Sequence, residues 1–288
     1  MEFEFFLAVV IVFSRVASFL FFFPLLKGRN IPNSVKVVFG MAISIPVATG
    51  VDVSGITTLP DLLLRVTSEV VFGLALAKLV EIIAVIPKMA GFMIDYDLGF
   101  SQVNLIDPSY GTQNSITAAI LDTFFVVIFL SLQGMDYLIY YLMKSFEFTA
   151  SVSILFEKGF IDLLLGTLGF ALASAVSIAL PIMGSIFIVN IILAFISKSA
   201  PQINIFMNAF IIKITFGIFI LACAVPILST VFKNLTDEMI QQYVSFFDYL
   251  LKNREEKKAW RRIIRRKKQR HAALRKLEMK VMWRKVKN

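Results

Sequence analysis

The sequence predicts an all-α, polytopic membrane protein with about six long hydrophobic helices, some of them kinked or not fully spanning. Apolar residues make up 58% of the 288 residues, and the mean hydropathy is +0.78, whereas soluble domains are roughly 45–50% apolar. Charged residues make up 17%, against about 25% in soluble domains. The apolar residues also fall in runs that reach the roughly 20 residues that a helix needs to cross a bilayer.

The composition argues against an enzyme or a metalloprotein. A single cysteine, Cys223, excludes an intramolecular disulfide framework and a cysteine metal cage. The one histidine, His271, lies in a basic tail, so the nucleophile–base partners of most active sites are missing. No cofactor is predicted. A metal site at Asp95, Asp97 and Asp107 is a weak option, because nothing around them resembles an ordered calcium loop.

The positive charge is concentrated in the C-terminal tail. Residues 252–288 hold 17 of the 29 Lys and Arg and 3 of the 20 acids, so the tail carries +14 and the remaining chain −5. Anionic lipid is the preferred partner of such a tail, followed by an acidic protein face. Nucleic acid is not predicted, since no binding motif is present. A solvated tail without a partner is the plain alternative.

The first apolar segment, Phe5 to Leu26, carries Arg15 near its middle. An arginine at that depth facing lipid costs between about 3 and 15 kcal/mol. We therefore expect Arg15 to face protein, water or a carboxylate such as Glu69 or Asp95. The alternative is a snorkelling arginine on a tilted helix. The second segment, Val37 to Val51, is short.

The third segment, roughly Leu62 to Ile86, holds too many charges for a helix that faces lipid. Glu69 and Gly73 are four residues apart and share one face, while Lys78 and Glu81 are three apart and can pair. Small residues permit close helix packing. We interpret the segment as a helix buried among other helices, which fits a transporter equally well.

Residues 88–116 interrupt the apolar series with a polar stretch that does not read as helix. It contains three aspartates, four side-chain amides and three glycines, and Pro108 directly after Asp107 disfavours helix at that position. Irregular polar backbone at membrane depth survives only where protein buries it or where it lines a watery cavity. The stretch is therefore predicted to line or block a cavity.

Three further apolar segments follow the polar stretch: Thr117 to about Met143, Phe160 to Ile196, and Phe206 to about Phe232. The middle one is far longer than a single crossing requires. Pro181 and Gly184 are predicted to break or kink it.

The charged links give conflicting predictions of orientation. Residues 27–36 are basic and residues 198–213 contain no acid, so both are predicted to be cytoplasmic. Glu2 and Glu4 suggest an N-terminus outside, and six crossings would then place the basic tail outside. Either one segment does not span, or the long segment turns back at Pro181, or the tail breaks the rule.

The motifs, taken in order, resemble the FliR family. The matching pieces are Arg15 with Pro24, Pro32 and Lys36; the E-x-x-x-G pattern of Glu69 and Gly73; A-G-F-M-I-D-Y-D-L-G-F-S from Ala90 with Asp107–Pro108; Gly134; Ser145–Phe146; and A-P-Q-I-N-I-F from Ala200, followed by Lys213. Over residues 5–250 the chain is similar to this flagellar export-gate protein, called SctT in the related injectisome. The tail is longer and more basic than the family usually has, and the proline often found shortly after the Ser145–Phe146 position is missing.

The resemblance implies a subunit of the flagellar type III protein export gate in the bacterial inner membrane, at the flagellar basal body. With FliP-like and FliQ-like subunits and an FlhB-like switch protein, such a subunit forms the pore for unfolded flagellar proteins. Residues 1–251 would form the export-gate domain, with a FliP-like N-terminal part and a FliQ-like hairpin at about 160–233, and residues 252–288 the tail. The turn at Pro201, Gln202 and Asn204 would be a subunit interface.

The resemblance also assigns a plug loop to about residues 103–115, which would seal the lumen. Its residues are Asn104, Leu105, Ile106, Asp107, Pro108, Ser109, Tyr110, Gly111, Gln113 and Asn114. Arg15, Glu69 and Asp95 are expected to provide intramembrane polar packing. Two other functions stay open: a small-molecule or ion transporter that uses these three residues, and a membrane-anchored binding protein whose tail is the active part.

Overall fold

Helices form almost all of the described structure, and the predicted all-α fold is confirmed. The structure is a computed structural model that describes residues 2–27, 31–53, 55–56, 58–100, 115–147, 157–199 and 205–286. The helices are α1 Glu2–Phe22, α2 Pro24–Lys27, α3 Asn33–Ala48, α4 Leu59–Ala84, α5 Ile86–Leu98, α6 Ile116–Ser131, α7 Gly134–Lys144, a 3-10 turn Ser145–Glu147, α8 Lys158–Ser199 and α9 Ile205–Val286.

Two groups of packed helices form the core. In the first, α1 packs against α3 and α4, and in the second, α5 packs against α6 and α8. The helix α4 joins the two groups, because it packs against α1 in the first group and also contacts α8 in the second. Its start is fixed by a capping box, in which Thr58 and Asp61 bond each other's backbone amides, a standard helix N-terminal signal.

The beginning of the polar stretch is helical, which corrects the expectation of irregular backbone from residue 88. The helix α5 continues to Leu98 and ends at Gly99, whose φ is 88°. Pro87 lies in its first turn, where the missing amide breaks no helical hydrogen bond. Asp95 is buried on the packed face of α5, so this polar residue indicates a buried polar contact and not a loop.

Four helical stretches are long and apolar enough to cross a membrane, and a fifth is added if α6 and α7 count as one bent span. The predicted number of six is not confirmed in the described residues. The helix α3 has 16 residues, or about 24 Å at 1.5 Å per residue, which is short of a hydrocarbon core of about 30 Å. Of the three resolutions of the orientation conflict, a segment that does not span agrees with this count.

The bend between α6 and α7 measures 69°. Gln133 adopts a left-handed conformation with φ 57°, which non-glycine residues rarely take. A Cβ on the next residue, Gly134, would lie 2.3 Å from the Phe129 ring. The start of α7 therefore packs closely on Phe129 at the corner between the two helices.

The long helix α8 runs unbroken through Pro181, so a break or a reversal there is wrong, while the predicted kink stays a prediction. A proline removes one backbone hydrogen bond, and such losses are tolerated in membrane helices that pack on neighbours. This part of α8 is packed on one side, where Ile178, Ala179 and Ile182 are buried. No atom lies within 4 Å of a Cβ built on Gly184, so this glycine forces no close approach there.

The chain divides into two compact units, Met1–Tyr243 and Val244–Asn288. The first unit contains the helices from α1 to α8 and most of the apolar part of α9. In the second unit the backbone is helical from residue 244 to Val286. The predicted domain boundary after residue 251 stays a prediction.

Candidate functional site

Arg15 lies at the centre of a buried polar cluster that joins three parts of the first unit. Its Nε donates to Glu69 Oε2 at 2.5 Å, and its Nη1 donates to the Ser145 backbone oxygen at 2.5 Å and to Ser145 Oγ at 2.9 Å. Arg15 and Glu69 are each only 1% exposed. We call Arg15, Glu69, Ser145 and the two rings described next the arginine cluster; it ties α1, α4 and the 3-10 turn together.

Two aromatic rings complete the arginine cluster. The guanidinium carbon of Arg15 lies 4.7 Å from the Phe72 ring centroid and 4.3 Å from that of Phe146, within the range of cation–π attraction. The second carboxylate oxygen of Glu69 lies 3.1 Å from Arg65 Nη2. Hydrogen bonds, an opposite charge and ring faces together offset the cost of burying the arginine's charge.

Gly73 lets α4 approach α1 closely beside this cluster. A Cβ at this position would lie 2.4 Å from the Arg15 backbone oxygen and 2.1 Å from Ser18 Oγ. Gly73 and Glu69 are one helical turn apart. In the E-x-x-x-G pattern, the glycine therefore lets α1 and α4 come into contact, and the glutamate pairs with Arg15 across that contact.

A second buried cluster surrounds Asp95 on α5. Its carboxylate accepts hydrogen bonds from Ser115 Oγ and from the Thr117 backbone amide, at 3.1 Å to Oδ2. The same Ser115 hydroxyl accepts the Ala118 amide at 3.1 Å and so caps α6. A carboxylate at a helix N-terminus is favoured by the helix dipole. We call Asp95, Ser115 and Thr117 the aspartate clasp.

Close packing holds the two helices of the clasp together. A Cβ on Gly91, one turn before Asp95, would lie 2.3 Å from Ala118 Cα. Asp95 is 3% exposed. The backbone amide of Gly99, one turn after it, bonds to the backbone oxygens of Asp95 and Tyr96. The first turn of α6 is therefore fixed against the last two turns of α5.

Comparison with known sequences places this arrangement in a family. Residues 6–239 match the family described as bacterial export proteins, family 1. The chain belongs to this family. The family includes the predicted FliR-type proteins, so that prediction is confirmed, together with its broader content, a subunit of a type III export apparatus.

Relatives in this export family cover most of both chains. The flagellar biosynthetic protein FliR of Aquifex aeolicus (strain VF5) is 25% identical over 254 residues, 87% of this chain and 96% of that protein. The FliR of Bacillus subtilis (strain 168) is 24% identical over 81% of this chain and 91% of its own. The surface presentation of antigens protein SpaR of Shigella flexneri is 28% identical over 73% and 82%.

The residues that resemble the motifs of the export family fall into different parts of the structure. Arg15 and Glu69 meet in the arginine cluster, whereas Asp95 belongs to the aspartate clasp. The ten residues predicted to form the plug, between Asn104 and Asn114, lie outside the described residues, as do Pro201, Gln202 and Asn204 of the predicted interface turn. Among the described residues no group of three or more His, Cys, Asp or Glu is arranged to hold a metal ion.

Described residues on both sides of positions 101–114, which include most of the predicted plug loop, are packed. Leu98, in the last turn of α5, contacts α9, where a Cβ on Gly217 would lie 2.3 Å from Leu98 Cδ2. The Phe100 ring lies edge-on to the Phe210 ring at 6.3 Å. On the C-terminal side of these positions, Ser115 belongs to the aspartate clasp. The described chain before residue 101 and after residue 114 therefore packs against other helices of the first unit.

Sequence reasoning missed several partners in both clusters. Ser145 matched the family pattern but was not linked to Arg15, 130 residues away. The one sequence signal for this contact was that an arginine in the middle of a membrane segment has five N–H donors and needs acceptors besides one carboxylate. Ser115 carried a clearer signal, because a serine directly before an apolar run is a typical helix N-cap.

Proposed function

We propose that this chain is the FliR-like subunit of a flagellar type III export gate in the bacterial inner membrane, at the flagellar basal body. It would form a pore for unfolded flagellar proteins together with FliP-like and FliQ-like subunits and an FlhB-like switch protein, with about residues 103–115 as the plug. The observation that carries the proposal is the aspartate clasp. The clasp holds the end of α5 next to the start of α6. A polar segment between them would leave and rejoin the packed helices at one place, as a plug inserted into a lumen must do.

The exposed faces of the last two long helices support assembly with other membrane subunits. In the most apolar stretch of Ala209–Leu250 only 11% of residues are buried, and in that of Lys158–Ser199 33%. An apolar cleft of about 540 Å³ lies between α8 and α9, near Pro181 and Leu228. Helices in lipid associate through close packing at small residues and clefts, so FliP-like and FliQ-like helices are suitable occupants.

The polar residues of the arginine cluster favour a structural role over transport. Glu69 is held by two arginines and is almost fully buried. A substrate or proton site needs groups that can change partner or charge during the cycle. Asp95 lies in a separate cluster with its own partners, so the three residues of the transporter alternative do not converge on one site.

Deleting Asn104–Asn114 tests the plug. We expect the complex with FliP-like and FliQ-like subunits to assemble and its ion conductance in planar bilayers to rise several-fold, because the segment that fills the lumen is gone. The control replaces the same residues by a Gly/Ser sequence of equal length, which keeps the clasp unstrained but packs poorly, and it should leak as well. Conductance at the level of the unaltered complex in both variants would contradict the plug assignment.

The basic tail is proposed to bind anionic lipid. Trp260 and Trp283 are the only two tryptophans of the chain, so tryptophan emission reports on the tail without any label. We expect a blue shift in nanodiscs with anionic lipid relative to zwitterionic ones, and its reversal at high salt, since charge attraction to lipid is screened. Identical emission in the two lipid mixtures would contradict lipid binding. A variant truncated after residue 251 should assemble normally.

A further inference from the structure

The helices α4 and α5 follow each other directly and form one helical run, Leu59–Leu98, of 40 residues. Backbone hydrogen bonds continue across their junction, where the Val85 amide donates to the Glu81 oxygen at 3.0 Å and the Met89 amide to the Val85 oxygen at 2.9 Å. Residues three or four positions apart therefore share a face along the run. At 1.5 Å per residue the run is about 60 Å long, about twice the hydrocarbon thickness of a bilayer.

The exposed face of this run changes in character along its length. Near its start the most exposed large side chains are apolar, with Leu63 58% and Leu64 70% exposed. From residue 78 onward, exposed or half-buried side chains that include three charged groups recur at helical spacing on one face. We call these residues the charged stripe: Lys78, Glu81, Lys88, Phe92 and Tyr96.

Charge argues against lipid as the environment of the charged stripe. Lys78 pairs with Glu81 on the exposed face. Among the described residues no acidic side chain forms an ion pair with Lys88, which is exposed on α5. Charged side chains in membrane helices face the interior of a helix bundle or a water-filled cavity, because contact with lipid is costly. The charged stripe therefore faces water or other protein.

Side-chain size favours water over a packed partner helix. Close helix packing in membranes uses small residues at the contact. The glycines and alanines of this run are all buried, away from the charged stripe: Gly73, Ala75, Ala77, Ala84, Ala90 and Gly91. The stripe itself has only long or bulky side chains, and its two lysines would lose their rotamer freedom if a partner helix fixed them.

We propose that the charged stripe lines the water-filled lumen of the assembled export gate. The lysine ammonium groups and the Tyr96 hydroxyl are hydrated there, while the rings of Phe92 and Tyr96 offer apolar surface beside them. Such a mixed surface suits water, ions and an extended polypeptide, whose side chains vary along its length. The inference rests on the proposed function, because a lumen needs the other subunits, but its evidence comes from α4 and α5 alone.

Cysteine labelling tests the environment of the charged stripe. Lys88→Cys and Tyr96→Cys are placed singly in a Cys223→Ser background, and Leu180→Cys, 58% exposed on α8, is the control on an apolar face. Two thiol reagents are compared in nanodiscs: a small, charged methanethiosulfonate and a maleimide coupled to a large polyethylene glycol. Both stripe positions should react with both reagents in the chain alone, where no other subunit restricts access.

In the complex with FliP-like and FliQ-like subunits, we expect both stripe positions to keep their reaction with the small reagent and to lose that with the large one, because a narrow lumen admits only the small reagent. Leu180→Cys should react with neither, since lipid or a partner helix covers it. Loss of both reactions at the stripe would assign it to a protein interface, and retention of both to bulk solvent; either result overturns the proposal. Failure of the subunits to co-purify would contradict the proposed function, and the lumen with it.

The charge of the stripe gives a second measurement. Charged groups along a pore bias which ions pass, so Lys88→Glu should shift the reversal potential of the complex in a salt gradient toward cations. Lys78→Met, which leaves Glu81 without its lysine, should shift it in the same direction by less. The control is Lys158→Glu at the exposed first residue of α8, which makes the same change of charge as Lys88→Glu and should have no effect. Equal reversal potentials in Lys88→Glu and the unaltered complex, or an equal shift in Lys158→Glu, would overturn the assignment of the stripe to the lumen.

Discussion

Replacing Arg15 by methionine is expected to destabilise the chain by about 3–5 kcal/mol, because it leaves a buried carboxylate without its main partner. Glu69 is 1% exposed and receives the Arg15 Nε at 2.5 Å. The Ser145 backbone oxygen loses its donor in the same substitution. We expect less protein in the membrane fraction, a lower thermal midpoint in detergent, and loss of the single peak in size-exclusion chromatography.

The matched control is Lys78→Met on α4, which breaks the pair of Lys78 with Glu81. That lysine is 46% exposed, and exposed ion pairs contribute between zero and about 1 kcal/mol. Its thermal midpoint should stay close to that of the unaltered chain. Equal losses in Arg15→Met and Lys78→Met would contradict a special role of burial at Arg15.

A double substitution separates the charge from the packing. Arg15→Met with Glu69→Met removes both charges and keeps most of the volume, and apolar replacements of buried ion pairs are often neutral or stabilising. We expect this variant to recover a large part of the midpoint lost by Arg15→Met alone. Recovery should be incomplete, since the Ser145 carbonyl stays without its arginine donor. No recovery at all would mean that the arginine acts through its other contacts and not through Glu69.

The pairing of Arg15 illustrates what the sequence could predict. A charge in the middle of an apolar segment is costly enough to require a partner, and Glu69 and Asp95 were the two carboxylates considered for Arg15. Choosing between Glu69 and Asp95 needed the fold, because both lie on helices and only the packing of α1 on α4 brings one of them close. The contribution of Ser145 depended on a contact across 130 residues, which no local pattern encodes.

The polar stretch and the long helix α8 show the opposite limit. Asp95, Asp97 and Gly91 made residues 88–98 look irregular, yet the helix continues because Gly91 fits against α6 and Asp95 finds donors there. Pro181 predicted a break or a kink, and the helix does not break there because tertiary packing outweighed a single lost hydrogen bond. In both cases the local sequence correctly marked an unusual hydrogen-bonding requirement but predicted the wrong backbone conformation. Contacts with helices far along the chain decided whether the helix continued.

Substituting Gly73 by alanine is expected to push α1 and α4 apart where Gly73 meets the Arg15 backbone. The new Cβ would lie 2.4 Å from the Arg15 backbone oxygen, and a backbone atom cannot rotate away as a side chain can. Overpacking of this kind costs typically about 1–3 kcal/mol and occasionally more. The shift also moves Glu69, one turn away, relative to Arg15. We expect a lower thermal midpoint and less assembled complex.

Two comparison variants test whether backbone contact is the cause. Gly166→Ala on α8 adds a methyl where no atom lies within 4 Å, so it should be neutral or gain about 0.5–1 kcal/mol from helix propensity. Gly73→Ala combined with Ser18→Ala removes the hydroxyl that would lie 2.1 Å from the Cβ but not the carbonyl. It should therefore recover only part of the lost midpoint. Full recovery would mean that the serine hydroxyl alone opposes a side chain here, and the E-x-x-x-G pattern would then reflect one side-chain contact instead of the approach of two helix backbones.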